Sequence, residues 1–257
     1  MQQKLRTAEA FDRSIHATNE NSDTCREAIL RRLDGMRGIN THCHHLPDAQ
    51  FSGVDLKFLY DHSYCDWMDS YPADASAVPD FLLRNCGNSY FYWLQTAIAA
   101  LYGLPVSGEN LDKLNLAIAD AYRDETHHLR ILEQQCRYEK ILLDNCAHPG
   151  WVESAGKLFI PVLRCNMFVV CNCKTRKDHN GNNPSMYLPG IYDQDFDGYL
   201  EAVKNYVLQH RIFKFAIAYD EGNRIGNFDK ARAAAAYGQE HPTPEAYRDF
   251  YGYMVYY

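Results

Sequence analysis

Apolar positions along the chain switch between a helical period and runs that suit strands. Residues 24–35 place Ala28, Ile29 and Leu33 on one side of a helix, with Thr24 and Glu27 at capping-box spacing and Gly35 and Gly38 to end it. A short β-compatible run, 38–44, follows and turns at Leu46-Pro47-Asp48. From 51 to 137 the period is helical with no convincing strand: 88–103 is dense in apolar residues and stops at a glycine, while 110–125 and 127–137 are amphipathic. Strand-like runs resume at 139–144, 158–164 and 211–219, separated by helical stretches such as 197–210. Helices over 227–237 and 244–257 complete the pattern.

Strands alternating with helices predict a parallel sheet. The predicted fold class is therefore α/β, a TIM-type (β/α) barrel. Residues 36–50 carry its first strand, 51–137 form a helical insertion, and 138–257 hold the second to fourth strands with their helices. Four units are about half of a barrel of eight. Together with the aromatic run Tyr247 to Tyr257, which lacks a stop signal, this predicts a barrel truncated after its fourth unit.

Composition narrows the functional classes. The chain has 257 residues, 46% apolar and 23% charged, the mixture of an ordinary globular enzyme-like domain. A formal charge of −7 and a pI near 5.9, without a concentrated basic face, argue against nucleic acid and leave small-molecule substrates as the expected partners. No stretch stays apolar for the roughly 18 residues of a membrane span, and the first thirty residues lack a signal-peptide core. A cytoplasmic protein is expected. Nine cysteines at irregular spacings predict reduced thiols. Cys171-Asn172-Cys173 with His179 matches no standard zinc spacing and is expected to be a surface loop.

The sharpest chemistry lies in Thr41-His42-Cys43-His44. Strand side chains alternate, so His42 and His44 share a face, and at the carboxyl end of the first strand that face is the barrel mouth. Two imidazoles there can share a divalent ion, zinc first. Cys43 is expected to face the outer helices, and His45 to be a loop or lid residue. In the fourth predicted strand, Lys214 shares a face with Ala216, Ala218 and Asp220. An interior lysine is either structural or a site residue. Arg164 ends the third strand, as a clamp for a substrate carboxylate or as a surface arginine; Asp144 is similarly placed after the second strand. The aromatic residues Tyr60, Tyr64, Trp67, Tyr90, Tyr92 and Trp93 of the insertion belong to a core or to a lid. His127 and His128 are expected on a solvated helix face.

Asn40-Thr-His-Cys-His-His-Leu-Pro47 resembles the first-strand signature of the amidohydrolase superfamily, with Asn40 where the usual form has aspartate. Asn88-Ser-Tyr-Phe-Tyr-Trp-Leu94, Leu101-Tyr-Gly-Leu104 and Phe213-Lys-Phe-Ala-Ile-Ala-Tyr219 resemble its amidohydrolase-related, uronate isomerase-like branch, so the likeness spans 36–257. The resemblance implies a metal-dependent hydrolase acting on a small carboxylate-bearing substrate, with His42 and His44 as metal ligands, Lys214 as a catalytic residue and Arg164 binding substrate. Two-metal relatives use a carboxylated lysine at the very end of the fourth strand; Lys214 stands several residues earlier. The remaining family ligands and the general base come from later strands. The alternatives are a uronate isomerase-like aldose–ketose isomerase, and a non-catalytic half-barrel whose open edges pair in an assembly, including a homo-oligomer.

Overall fold

A computed structural model describes residues 20–151, 157–222, 225 and 228–257. The chain divides into two units, residues 1–38 and 39–257. The first contains helix α1, Glu20–Asp34, which already includes Thr24, so the predicted capping box lies inside the helix. Arg31 and Arg32 sit in its last turn, where cations complement the helix dipole. Ile29 and Leu33, the predicted apolar side, are exposed.

β1, Gly38–Cys43, begins at the last residue of the first unit and leads into the predicted helical insertion of the second. Its helices are α2 (Leu56–Asp61), α3 (Val78–Asn85), α4 (Ser89–Tyr102), α5 (Leu111–Ala121) and α6 (His127–Arg130), and no strand interrupts them. Local chemistry fixes their ends. The Asn88 side chain accepts from the Tyr90 N–H to start α4, and Gly103, at φ 74°, stops it in the left-handed conformation. The insertion has a core of its own: Leu56, Tyr60, Phe81, Phe91, Ile98, Leu114 and Ile118 are buried together.

The remaining strands are β2 (Tyr138–Leu143), β3 (Phe159–Pro161), β4 (Leu163–Arg164) and β5 (Phe213–Lys214), with helices α7 (Asn166–Val170), α8 (Phe196–Val207), α9 (Lys230–Ala236) and α10 (Pro244–Tyr256). β1, β2 and β3 are neighbours in one sheet, and β4 and β5 form another. The β2–β3 and β4–β5 pairings are parallel. The single strand predicted at 158–164 changes partner midway. Pro161 has no N–H to donate, Val162 donates to the Leu143 carbonyl at 2.9 Å, and Leu163 turns to the Ile212 carbonyl at 2.9 Å. Side chains of α7, α8, α9 and α10 pack in one large core around Tyr199, Phe250 and Tyr251.

The architecture is mixed α/β with short parallel strands, and the described residues form no closed barrel. The predicted fourth strand is cut from 211–219 to two residues. The Ala216 N–H donates to Asn166 Oδ1 at 2.7 Å, and 217–219 coil into a 3₁₀ turn. A backbone donor given to a side chain is lost to the ladder. The face-sharing expected along 211–219 therefore holds at Lys214 and fails from Ala216 onward.

Candidate metal centre

Four of the five strands deliver polar residues at or just past their carboxyl ends: His42 and His44 at the end of β1, Asp144 just past β2, Arg164 from β4 and Lys214 from β5. His42, His44 and Asp144 offer ligand atoms that all lie within 4.8 Å of one another. The alternation read from the sequence holds, since Cys43 packs on the opposite side against the cluster of Ile141, Leu143, Leu158 and Phe159. Asn40 has a local reason: its side-chain oxygen accepts from the His42 N–H at 3.1 Å.

The two imidazoles are poised to share an ion. Their ring centroids are 4.6 Å apart and their planes stand at 89°. An imidazole nitrogen donates in the plane of its ring, so crossed rings can converge on one point. His44 Nδ1 lies 2.7 Å from the Asp144 carbonyl oxygen and donates to it, which leaves the Nε2 lone pair free 3.9 Å from Asp144 Oδ2. Metal-ligating histidines are commonly oriented by such a bond. Burial, then the neighbouring Lys214 ammonium, holds His42 below its ordinary pKa of 6.5, in the neutral ligating form at neutral pH. The donor set fits a borderline cation of the zinc type.

Asp144 is the hub and is 1% exposed. Arg164 grips it with both arms of its fork, Nε to Oδ1 at 3.1 Å and Nη2 to Oδ2 at 2.6 Å. Lys214 Nζ donates to Oδ2 at 2.6 Å and stands 3.3 Å from His42 Nδ1. Burial pushes the carboxyl pKa up, but the bonds from Arg164 and Lys214 outweigh it and hold it below the ordinary 3.8. Lys214 thus occupies, in part, the position of a cation bridging Asp144 and His42. Arg164 is 4% exposed and is not a surface arginine. Its third arm, Nη1, donates to His179 Nε2 at 3.1 Å, so all three nitrogens are engaged inside the protein.

Asp144, in the sequence only a less specific counterpart of Arg164, is the hub of the site, and nothing in the sequence connects His179 to it. The signal for Asp144 was positional: it follows the second strand as His44 follows the first. His179 lies in a partly exposed turn, its side chain 22% exposed. Cys171, Asn172 and Cys173 are 0%, 0% and 3% exposed, so the surface loop expected from Cys171 to His179 begins only after them, at the exposed Lys174 and Thr175. Asn172 anchors that segment by donating to the Ala236 and Gln239 carbonyls, and Asn183 does so through the carbonyl of Cys173. Asp220 bonds His179 and Asn166, with no bond to Lys214. Cys146 Sγ lies 3.5 Å from His44 Nδ1, and burial pushes its thiol pKa up.

Of the aromatic residues of the insertion, Tyr60 is buried in the core, while Tyr64, Trp67, Tyr90, Tyr92 and Trp93 are exposed. Tyr64 is near enough to the centre that, after burial, Tyr219, Tyr90, Cys146 and Asp144 raise its phenol pKa. Tyr219 stacks on His179 at 5.1 Å.

A second cluster, His45, Asp48 and His128, also brings three ligand atoms within 4.8 Å. His128 is 3% exposed and bonds Asp48 at 3.2 Å, contrary to the solvated face expected for it, because its ring stacks on Phe51 at 4.1 Å. The His45 and His128 planes are only 28° apart with centroids at 5.2 Å, a stacked arrangement in contrast to the crossed rings of His42 and His44. This is an aromatic stack, completed by Phe159 against His45. Burial lowers the His45 pKa from 6.5 to about 4. The unfolded chain therefore binds the extra proton between those values, and stability falls as pH drops from 6.5 toward 4, by up to roughly 3 kcal/mol. His45→Phe is expected to flatten the pH dependence of the urea midpoint in that window; an unchanged slope would contradict the assignment.

No helix among the described residues is long and apolar enough to cross a membrane. None of the protein-family models, curated proteins or solved structures compared with this chain matches it.

Proposed function

We propose that the protein is a metal-dependent hydrolase of amidohydrolase type, acting on a small amide, ester or lactone in the cytoplasm, on a half-barrel scaffold. The observation that carries this reading is the convergence of His42, His44 and buried Asp144 at the carboxyl ends of neighbouring strands. These three would hold one divalent ion, which supplies Lewis acidity to polarise a carbonyl and activate water. The chain's own residues set the rest. Asp144 is held in its charged form by Arg164 and Lys214. Arg164, spent on Asp144 and His179, has no open fork for a substrate carboxylate, so its part is to position Asp144. Lys214 is the cation that reaches solvent, with a side chain 26% exposed, and faces the substrate as proton donor to a leaving group or partner of a carboxylate.

A turnover panel of amides, esters and lactones, with uronates beside them, tests the reading on zinc-loaded protein. Hydrolysis that disappears on chelation and in His42→Ala is expected. Uronate interconversion in place of hydrolysis would overturn the reaction class, and bound zinc with no turnover would mark a binding module.

A further inference from the structure

Beyond the residues assigned above, a second tier of polar groups stands behind the centre. Asp220 accepts three hydrogen bonds: from the His179 N–H at 2.7 Å, from His179 Nδ1 at 2.9 Å and from Asn166 Nδ2 at 2.7 Å. Asn166, at the start of α7, is 0% exposed, and its Oδ1 accepts the Ala216 N–H at 2.7 Å. These bonds fix the tautomer of His179. With Nδ1–H given to Asp220, the Nε2 lone pair accepts Arg164 Nη1 at 3.1 Å, with Asn180 Nδ2 also 3.1 Å away. A lone pair already facing a guanidinium is poorly suited to take a substrate proton, which speaks against a general-base role. It does complete a three-point hold on Arg164.

We infer that Asp220 and His179 are positioning residues of the metal centre: acting through Arg164, they set the place of the Asp144 carboxylate and thereby the affinity and ligand field of the site. The physical reason is rotational. A guanidinium bound only to one carboxylate can rock about that contact; a third bond on Nη1 fixes its plane, and with it both Asp144 oxygens. The Asp220–Asn166 bond joins the segment after β5 to the one after β4, so two strand ends are registered by one carboxylate. The inference rests on the metal reading of His42, His44 and Asp144.

The test is Co²⁺ titration followed by visible absorption, on wild type, His179→Ala, His179→Gln and Asp220→Asn, with thermal unfolding to establish that each variant is folded. His179→Ala and Asp220→Asn are expected to bind Co²⁺ roughly 10–100-fold more weakly, with shifted d–d bands. His179→Gln, whose amide oxygen can accept from Arg164, is expected to recover most of the affinity and the wild-type spectrum. Folded variants with wild-type affinity and spectrum would overturn the positioning role while leaving the metal reading intact. A wild-type protein that takes up no Co²⁺ would overturn both.

Discussion

Asp144→Ala is expected to be the most destabilising single substitution at the centre, by about 3–5 kcal/mol in urea unfolding. The magnitude follows from what stays behind. Arg164 is 4% exposed and donates to Asp144 through Nε and Nη2, and Lys214 donates to the same carboxylate. Truncating the anion leaves two neighbouring cations, one of them buried, without the carboxylate that both of them bond. Arg164→Met should cost less, because the remaining Asp144 keeps Lys214. The same pair makes the fold acid-sensitive. Asp144 titrates below its ordinary value in the native state, so its contribution is present above the unfolded carboxyl pKa and is lost as pH falls through the native one. A loss under about 1 kcal/mol for Asp144→Ala, the range of an exposed pair, would contradict this picture.

The second large effect concerns ion binding. His42→Ala and His44→Ala each remove one of three converging donors, and each should weaken Zn²⁺ by more than the roughly 10–100-fold that loss of an orienting partner costs. The variants should remain stable, since both histidines are exposed. His44→Ala also frees the Asp144 carbonyl, which is otherwise bonded at 2.7 Å. Competition against a chromophoric chelator reads the change. Equal affinity in wild type and both variants would place the ion elsewhere.

Much of this centre is readable in the sequence where local geometry decides it. The two-residue alternation of β1 places His42 and His44 together and sends Cys43 into the apolar cluster behind them. The helical insertion is equally plain, because apolar spacing and the Asn88 and Gly103 punctuation act within one turn. What the pattern misses is set by distant partners. Asn166 captures the Ala216 N–H and ends β5 early, although 211–219 has the composition of a long strand. Pro161 divides a single apolar run between two sheets. His179 is 15 residues beyond Arg164 and 41 before Asp220, so no local rule joins them. His128 lies on a helix with a polar flank, yet Phe51, far away in sequence, covers it. The strand-end placement of His42 and His44 follows from that alternation alone; barrel closure is not seen among the described residues.

The central claim is that two imidazoles and a carboxylate, without cysteine, hold the ion. X-ray absorption on protein loaded with one equivalent of Zn²⁺ tests it most directly. Two imidazole ligands and oxygen at about 2.0–2.2 Å are expected, with no sulfur. Sulfur scattering at about 2.3 Å would contradict the account and move the ion to the thiols, with Cys146 beside His44 the first to consider.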